Sequence, residues 1–191
     1  MLTTTHSGAT TWFTADPHFG HRNILAMEGR PFASIEEHDE ALILAWNSRV
    51  RPSHEIFVIG DFAMNSSAER CQEIFARLNG RKHLIIGNHD KARHTGLSWA
   101  TDPADLRTVV LDGVRLVLCH YGMRTWPGAW RGALHLYGHS HGKLPPTSRS
   151  CDVGVDAWAY RPVALAEIRE RLAGVEDEPE ERRLAALREP E

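Results

Sequence analysis

The chain has little cysteine, and its cysteines are poorly placed for disulfides. Among 191 residues there are three, at positions 71, 119 and 151, and an odd, widely spaced set argues for a reducing compartment rather than a disulfide framework. No apolar run approaches the roughly 20 residues that cross a membrane. The first ten residues have neither the basic start nor the apolar stretch of a signal peptide. We therefore expect a cytoplasmic protein with no membrane partner.

Outside the C-terminus the chain has no excess of either acidic or basic residues. Residues 174–191 hold seven acidic residues against three arginines, a balance of −4, whereas the whole chain carries −3 and residues 1–173 therefore carry +1. This predicts one domain over 1–173, followed by an acidic, charged tail over 174–191 that is either a solvated helix or disordered. No long basic stripe is present, so nucleic acid is a partner that the composition permits but does not indicate.

What the chain does have is a set of five short motifs, each at the end of a candidate strand. They are Asp16-Pro17-His18, Gly60-Asp61, Gly87-Asn88-His89-Asp90, Cys119-His120 and Gly138-His139-Ser140-His141. Carboxylate and amide oxygens mixed with imidazole nitrogens suit divalent transition metals. Because no thiolates complete the set, a catalytic metal site is a better interpretation than a closed structural zinc site.

Strands and helices are predicted to alternate along the first half of the chain. Ser34 and Glu37 form a capping box before a helical pattern that runs to Val50. Asp112-Gly113 predicts a tight hairpin turn, and Val153–Val155 is the predicted last strand. The order β-α-β-α-β, then mainly β, indicates a mixed α/β sandwich. Ligands at the carboxyl ends of successive strands can then converge at one edge.

Taken together, the five motifs resemble the calcineurin-like metallophosphoesterase superfamily. Its pattern is D-x-H, G-D, G-N-H-[DE], a lone histidine after a strand, and G-H-x-H, and all five occur here in order, within residues 11–160. The opening motif is similar to that of a small, single-domain bacterial and phage subgroup. The resemblance implies an α/β (α+β) fold, a four-layer sandwich of mixed β-sheets flanked by helices, over the predicted domain 1–173.

The resemblance also implies a centre of two divalent metal ions, with Mn²⁺ expected and Fe, Zn, Ni or Co as alternatives. The ligands of the first metal would be Asp16, His18, Asp61 and His141. The ligands of the second metal would be Asp61, Asn88, His120 and His139. The shared Asp61 carboxylate would bridge the two ions, and a bridging hydroxide would attack phosphorus.

The implied catalytic residues are His89, which would protonate the leaving oxygen, and Asp90, which would orient that imidazole or stabilise its cation. The expected activity is hydrolysis of phosphomonoesters or phosphodiesters, with a nucleotide among the candidate substrates. Two alternatives are a nuclease acting on polynucleotides and a non-catalytic metal-binding scaffold for protein interactions. The intact His89 and ligand set favour an enzyme over the scaffold.

Substrate contacts are predicted from position alone. His21, Arg22 and Asn23 follow the first motif and are candidates for contacts near the first metal. Arg124, four residues past His120, is a candidate phosphate contact. The same segment contains Trp126, Trp130 and Arg131, whose aromatic faces either stack a base beside the second metal or pack the loop.

Overall fold

The computed structural model describes residues 5–186, which form two facing β-sheets. The smaller sheet has the order β4-β3-β2-β9. Strands β2, β3 and β4 are parallel, and β9 pairs antiparallel to β2. The bounds of these four strands are Thr11–Thr14 for β2, Glu55–Ile59 for β3, Arg81–Ile85 for β4 and Val163–Ala164 for β9.

The larger sheet has five strands in the order β1-β5-β6-β7-β8. Strands β5 and β6 form an antiparallel hairpin, and β6, β7 and β8 are parallel. Asp112 and Gly113 at the hairpin turn have φ values of 47° and 79°, which confirms the predicted tight turn. The bounds are Thr5–His6 for β1, Leu106–Leu111 for β5, Val114–Cys119 for β6, Leu134–Tyr137 for β7 and Ser150–Asp152 for β8.

Within residues 5–186, six α-helices connect or flank the strands. The Ser34 hydroxyl accepts a hydrogen bond from the Glu37 amide at 3.1 Å, as the capping box predicted. Ser67 caps the third helix in the same way, at 3.2 Å from the Arg70 amide. The bounds are Ile24–Met27 for α1, Ile35–Arg49 for α2, Ala68–Arg77 for α3, Ala92–Thr95 for α4, Leu165–Ala173 for α5 and Glu180–Ala186 for α6.

The core lies between the sheets because alternate residues of each strand face inward. Phe57 of β3 and Leu118 of β6 belong to this inner cluster, together with Ile168 of α5. The opposite face of the smaller sheet packs on α2 and α3, where Trp46 and Ile74 are buried. The mixed α/β sandwich predicted from the order of strands and helices is thus confirmed.

The outer face of the larger sheet is covered differently, by an irregular segment between β6 and β7. Trp126, Ala129 and Ala133 of this segment pack on Val117 of β6. The Trp126 indole donates a hydrogen bond to the Ala133 carbonyl at 2.9 Å. Trp126 therefore packs the loop, which was one of the two predicted alternatives.

The predicted last strand at Val153–Val155 is wrong in position. The strand is Ser150–Asp152, and the chain turns into a 3₁₀ helix at Val155–Ala157. The Val153 amide still donates to the Tyr137 carbonyl of β7 at 2.8 Å, but the Val155 amide donates to the Ala15 carbonyl after β2 at 3.0 Å, so the chain passes from the larger sheet to the smaller one here.

The predicted tail contacts the rest of the chain. Pro179 is buried, and the Asp177 carbonyl accepts a hydrogen bond from the Ser148 amide at 2.7 Å. Glu180 of α6 forms an ion pair with Arg124. The described part of the tail is therefore a docked helix rather than a solvated one, and residues 187–191 of the predicted tail lie outside the described residues. No helix within residues 5–186 is long and apolar enough to cross a membrane.

Candidate metal centre

The five motifs converge because each follows the carboxyl end of a neighbouring strand. Asp16 follows β2, Asp61 follows β3 and Asn88 follows β4, while His120 and His139 follow β6 and β7. Backbone hydrogen bonds join the loops in pairs. The Asp16 amide donates to the Gly60 carbonyl at 3.1 Å, and the Gly138 amide donates to the His120 carbonyl at 3.0 Å. The second of these bonds links the ligand loops after β6 and β7.

The backbone is strained at the predicted ligands. Nine described residues other than glycine have a positive φ, and five of these are predicted metal ligands. An L-residue in this region is disfavoured by roughly 1–2 kcal/mol, and such residues concentrate at functional sites. The five ligands are Asp16 at 55°, His18 at 50°, Asp61 at 56°, His139 at 66° and His141 at 49°.

Two glycines of the motifs are required by close approach. A Cβ atom on Gly60 would lie 2.2 Å from the His120 Nδ1 atom, and one on Gly87 would lie 2.2 Å from the Asp61 Oδ1 atom. Gly60 also has a φ of 87°. Glycine therefore precedes Asp61 and Asn88 because any side chain would displace a ligand.

Asp61 lies at the middle of the site. Its Oδ2 atom is 3.6 Å from the His18 Nε2 atom, 3.5 Å from the His120 Nε2 atom and 4.0 Å from the His89 Nε2 atom. Its Oδ1 atom accepts a hydrogen bond from the His89 amide at 2.8 Å. A carboxylate oxygen that faces imidazoles from three loops has the position a shared metal ligand requires.

The predicted ligands form two overlapping groups that could each hold a metal ion. One group is Asp16, His18 and His141, and the other is Asp16, Asp61 and His120, with the candidate ligand atoms of each group within 4.8 Å of one another. The two remaining predicted ligands adjoin the second group. The Asn88 Oδ1 atom is 3.0 Å from the His120 Nε2 atom, and the His139 and His120 ring centroids are 5.2 Å apart.

Buried polar atoms at the centre lack hydrogen-bond partners among the described residues. They include the Asp16 Oδ1 atom and both ring nitrogens of His18. Burial raises the pKa of Asp16 to about 7 and lowers that of His18 to about 2. An unpaired buried carboxylate is unfavourable, whereas a cation between this oxygen and the neutral imidazole would satisfy both. The residues therefore fit a divalent metal.

Two histidines have one ring nitrogen fixed by a partner behind them. His120 Nδ1 lies 2.9 Å from the Ile59 carbonyl oxygen, and His141 Nδ1 lies 2.7 Å from the Asp156 Oδ2 atom. When Nδ1 donates in this way, Nε2 is the ring nitrogen that faces the centre. Burial opposes protonation of His120, but Asp61 and Asp16 outweigh it and raise the pKa of His120 to about 9, so a metal ion that binds Nε2 must displace a proton from it.

Comparison with known proteins agrees with this geometry. The family model of calcineurin-like phosphoesterases matches residues 9–158, most of the chain. The chain belongs to the calcineurin-like phosphoesterase family. This confirms the resemblance found in the five motifs, and the two mixed sheets flanked by helices have the architecture expected for the family.

Relatives of this calcineurin-like phosphoesterase occur in an archaeon and in phages. It is 28% identical to the uncharacterised protein MJ1445 of Methanocaldococcus jannaschii, over 81% of this chain and 86% of that protein. It is 30% identical to the gene 66 protein of Mycobacterium phage D29, over 87% of this chain and 97% of that protein. The crystal structure of AQ665, a protein of unknown function from Aquifex aeolicus, shares the fold, with a TM-score of 0.66 and 20% identity over 87% of this chain and all of that chain.

Asp90 does not have the position predicted for it. Its carboxylate accepts hydrogen bonds from the Asp61, Phe62 and Gly87 amides at 2.8–3.0 Å. It also lies 3.5 Å from the His94 Nδ1 atom, and no hydrogen bond to the His89 ring is found within residues 5–186. The expectation that Asp90 orients the His89 imidazole is therefore corrected, because its oxygens are occupied in holding the second and third motif loops together.

The predicted substrate contacts are only partly brought to the centre. His21 is buried, with its ring centroid 5.4 Å from that of His18. The Arg22 side chain is 72% exposed and lies 3.6 Å from Glu36, and Asn23 precedes α1 on the surface. Arg124 is 82% exposed and paired with Glu180 rather than with any metal ligand. Of the four, His21 alone is in contact with a predicted ligand.

The aromatic side chain beside the ligands is one that sequence reasoning missed. Tyr121 is 48% exposed, and its ring centroid is 4.8 Å from that of His139 and 5.2 Å from that of His120. Trp126 is buried in the loop, and Trp130 lies on another face of the molecule. Only the position of Tyr121 directly after His120 could have indicated it.

A buried arginine behind the first motif was also missed. The Arg30 guanidinium donates to the Asp16 carbonyl at 2.8 Å and the Pro17 carbonyl at 3.0 Å, and binds both Asp156 oxygens at 2.8 and 2.7 Å. Asp156 in turn binds His141. Arg30 therefore fixes the Asp16 loop directly and His141 through Asp156. Neither residue belongs to a motif, so no sequence pattern indicates the pair.

Proposed function

We propose that this protein is a hydrolase of phosphomonoesters or phosphodiesters that works with two divalent metal ions, Mn²⁺ first among them. The observation that carries the proposal is the position of Asp61, whose Oδ2 atom faces His18, His120 and His89 at 3.5–4.0 Å. Family membership supports phosphate-ester chemistry at this site. When bound, the metal pair supplies an activated water and offsets the charge of the phosphate.

The residues divide into two ligand sets around the shared carboxylate of Asp61. The shared role of Asp61 is supported by its Oδ2 atom, which lies 3.6 Å from His18 Nε2 of the first set and 3.5 Å from His120 Nε2 of the second. The second set is further supported by Asn88 Oδ1, which lies 3.0 Å from His120 Nε2. The first set is Asp16, His18, Asp61 and His141. The second set is Asp61, Asn88, His120 and His139.

His89 is the proposed general acid. Its side chain is 37% exposed, and its ring centroid lies 5.5 Å from that of His18, so it can meet a substrate while adjoining the ligands. The bond from its amide to Asp61 Oδ1 fixes its backbone to the bridging carboxylate. In the reaction, the proton of the imidazole passes to the leaving oxygen as the bond from that oxygen to phosphorus breaks.

Asp90 is proposed to act as a positioning residue in place of the role first predicted. Its carboxylate ties the Gly60-Asp61 loop to the Gly87-Asn88 loop through three amides. It thereby fixes the positions of the Asp61 and Asn88 loops relative to each other. Loss of this carboxylate would affect metal affinity before it affected proton transfer.

The substrate is proposed to be a phosphate ester with a flat or sugar-linked leaving group. Tyr121 and Leu144 are 48% and 46% exposed, and Leu144 lies close to Gly122, next to Tyr121. An aromatic face beside His139 can stack such a group. The cytoplasmic location, the tail boundary at 173 and the choice between diester and monoester stay predictions, although the three free cysteines are consistent with a reducing compartment.

The test is metal-dependent hydrolysis by purified protein. After removal of metals with EDTA, we expect no turnover of bis-p-nitrophenyl phosphate or p-nitrophenyl phosphate, and recovery of one or both activities with added Mn²⁺. Asp61→Asn should abolish the recovered activity, whereas the matched control Asp102→Asn, an exposed aspartate, should retain it. Metal binding by a folded protein without hydrolysis of any phosphate ester would favour the scaffold alternative and refute the proposal.

A further inference from the structure

A second recess lies far from the metal centre. It has a volume of about 850 Å³ and is lined by the first residues of β6 and β7, the loop before β8 and the end of α5. The metal ligands follow the other ends of β6 and β7. At about 3.3 Å per residue, six-residue β6 separates the two sites by roughly 15–20 Å. This recess is therefore not part of the hydrolytic site.

The recess concentrates positive charge in a chain whose net charge is −3. Four arginines and one acidic residue, Glu181, line it, which gives a local balance of +3. Within residues 5–186, none of the four arginines forms an ion pair with a carboxylate. Because all four guanidinium groups line the same recess, an anion bound there would offset their mutual repulsion. The four are Arg115, Arg131, Arg149 and Arg169.

The turn that forms one wall is shaped around two of these arginines. Gly128 and Gly132 bracket the Ala129–Arg131 turn with φ values of 83° and 84°. A Cβ atom on Gly128 would lie 3.4 Å from Arg115 Cδ, and one on Gly132 would lie 3.2 Å from Arg149 Nη1. The glycines thus provide both the left-handed backbone and the space that the arginine side chains occupy.

Trp130 adds a flat apolar surface to the same wall. It lies between the two glycines, lines the recess and is 60% exposed, one of the most exposed large hydrophobic side chains in the described chain. An exposed tryptophan beside arginines suits a nucleotide, because the ring can stack a base while the guanidinium groups bind phosphate oxygens. A volume of 850 Å³ falls within the usual range for small-molecule sites.

We propose that this recess binds the base and phosphates of a nucleotide, with the phosphates on the four arginines and the base on Trp130. The ligand is either a free nucleotide or a nucleotide unit of a single-stranded nucleic acid, since both present the same chemistry. Because the recess is remote from the metal centre, the proposal does not depend on phosphate-ester hydrolysis there.

Binding is tested with the full chain in EDTA, so that the metal centre neither binds nor hydrolyses the probe. ATP is titrated by calorimetry, and a 12-nucleotide fluorescein-labelled oligothymidylate by fluorescence anisotropy. We expect at least one probe to bind with a dissociation constant below 1 mM. Arg115→Gln combined with Arg169→Gln should weaken binding about tenfold or more for each charge-assisted hydrogen bond that the substitutions remove, and Trp130→Ala should weaken it about tenfold.

The matched control is Arg51→Gln, which removes an exposed arginine outside the recess. Tighter binding of ATP identifies a free nucleotide. Tighter binding of the oligonucleotide, with affinity falling steeply as salt rises, identifies a strand. The proposal is overturned if neither probe binds below 1 mM, or if the recess variants and Arg51→Gln bind equally well. Circular dichroism and an unchanged midpoint of urea unfolding of each variant would show that its fold is intact.

Discussion

Replacing Asp16 by asparagine should stabilise the metal-free protein at neutral pH while it replaces a charged metal ligand with a neutral one. Burial raises the pKa of Asp16 from 3.8 to about 7. A carboxyl whose folded pKa lies above its unfolded value destabilises the fold as pH rises from about 4 to about 7, because folding then opposes ionisation. The difference between the unfolded and folded pKa values corresponds to about 4 kcal/mol of lost folding free energy where the carboxyl is fully ionised.

The net gain in stability of Asp16→Asn is smaller than about 4 kcal/mol, because the asparagine NH₂ would take the place of the unpaired oxygen and would itself lack a partner. The Asp16 Oδ1 atom is the unpaired one, whereas Oδ2 accepts from the His139 amide at 2.8 Å and an amide oxygen can do the same. A buried unpaired donor costs about 1–3 kcal/mol. We therefore expect a gain of about 1–3 kcal/mol at pH 7.5, and no gain at pH 4.5.

Urea unfolding in EDTA at the two pH values measures this difference. The free energy of unfolding of Asp16→Asn, relative to the original protein, should rise by about 3 kcal/mol between pH 4.5 and 7.5. Asp90→Asn is the matched control, and it should destabilise because three amides bind its carboxylate. If Asp16→Asn were no more stable than the original protein at pH 7.5, or if the difference did not change with pH, the buried ionised carboxylate would not be the source of strain.

Three further predictions concern the proposed roles of individual residues. Asp156→Asn removes the charged acceptor of His141 Nδ1. It should weaken the binding of one metal ion about 10–100-fold in a competition titration and leave the binding of the second unchanged. Equal weakening of both would contradict the proposed role of Asp156. Asp61→Ala should abolish hydrolysis and weaken both ions, since it is shared, and near-normal turnover at saturating Mn²⁺ would show that Asp61 does not bridge. His89→Asn should keep both metals and much of the activity on p-nitrophenyl esters, yet lose about 10²–10⁴-fold on alkyl or nucleoside esters, whose leaving oxygens need a proton; equal losses on both kinds of ester would exclude His89 as the acid.

The convergence of the ligands was predictable because it follows from strand direction. Parallel β2, β3 and β4 must end at one edge, and β6 and β7 end beside them, so motifs at strand ends meet whatever their sequence separation. The short strands were not predictable. β1 and β9 have two residues each, too few to show a period of two, and they exist only because neighbouring strands pair with them.

The supporting residues of the site could not be predicted for a different reason. Arg30 and Asp156 are 126 residues apart, and each looks like an ordinary surface charge in its own segment. Their importance arises from burial, which the sequence does not display. Arg124 shows the reverse case, since its position after His120 indicated a phosphate contact, but docking of α6 pairs it with Glu180.

The candidate metal centre concentrates several unfavourable features, and a cation would relieve those that arise from unpaired polar atoms. Five ligands adopt left-handed backbone angles, Asp16 is buried without a partner on one oxygen, and His18 has no hydrogen bond on either ring nitrogen within residues 5–186. The surrounding structure keeps these features in place through Arg30, Asp90 and the motif glycines, none of which would bind a metal. Because the unfolded chain does not hold these ligands together, an ion that binds them in the native state would stabilise the fold. A substitution that pairs the Asp16 oxygen or the His18 nitrogens in the metal-free protein should therefore lower metal affinity, because it removes the gain that a bound ion would bring.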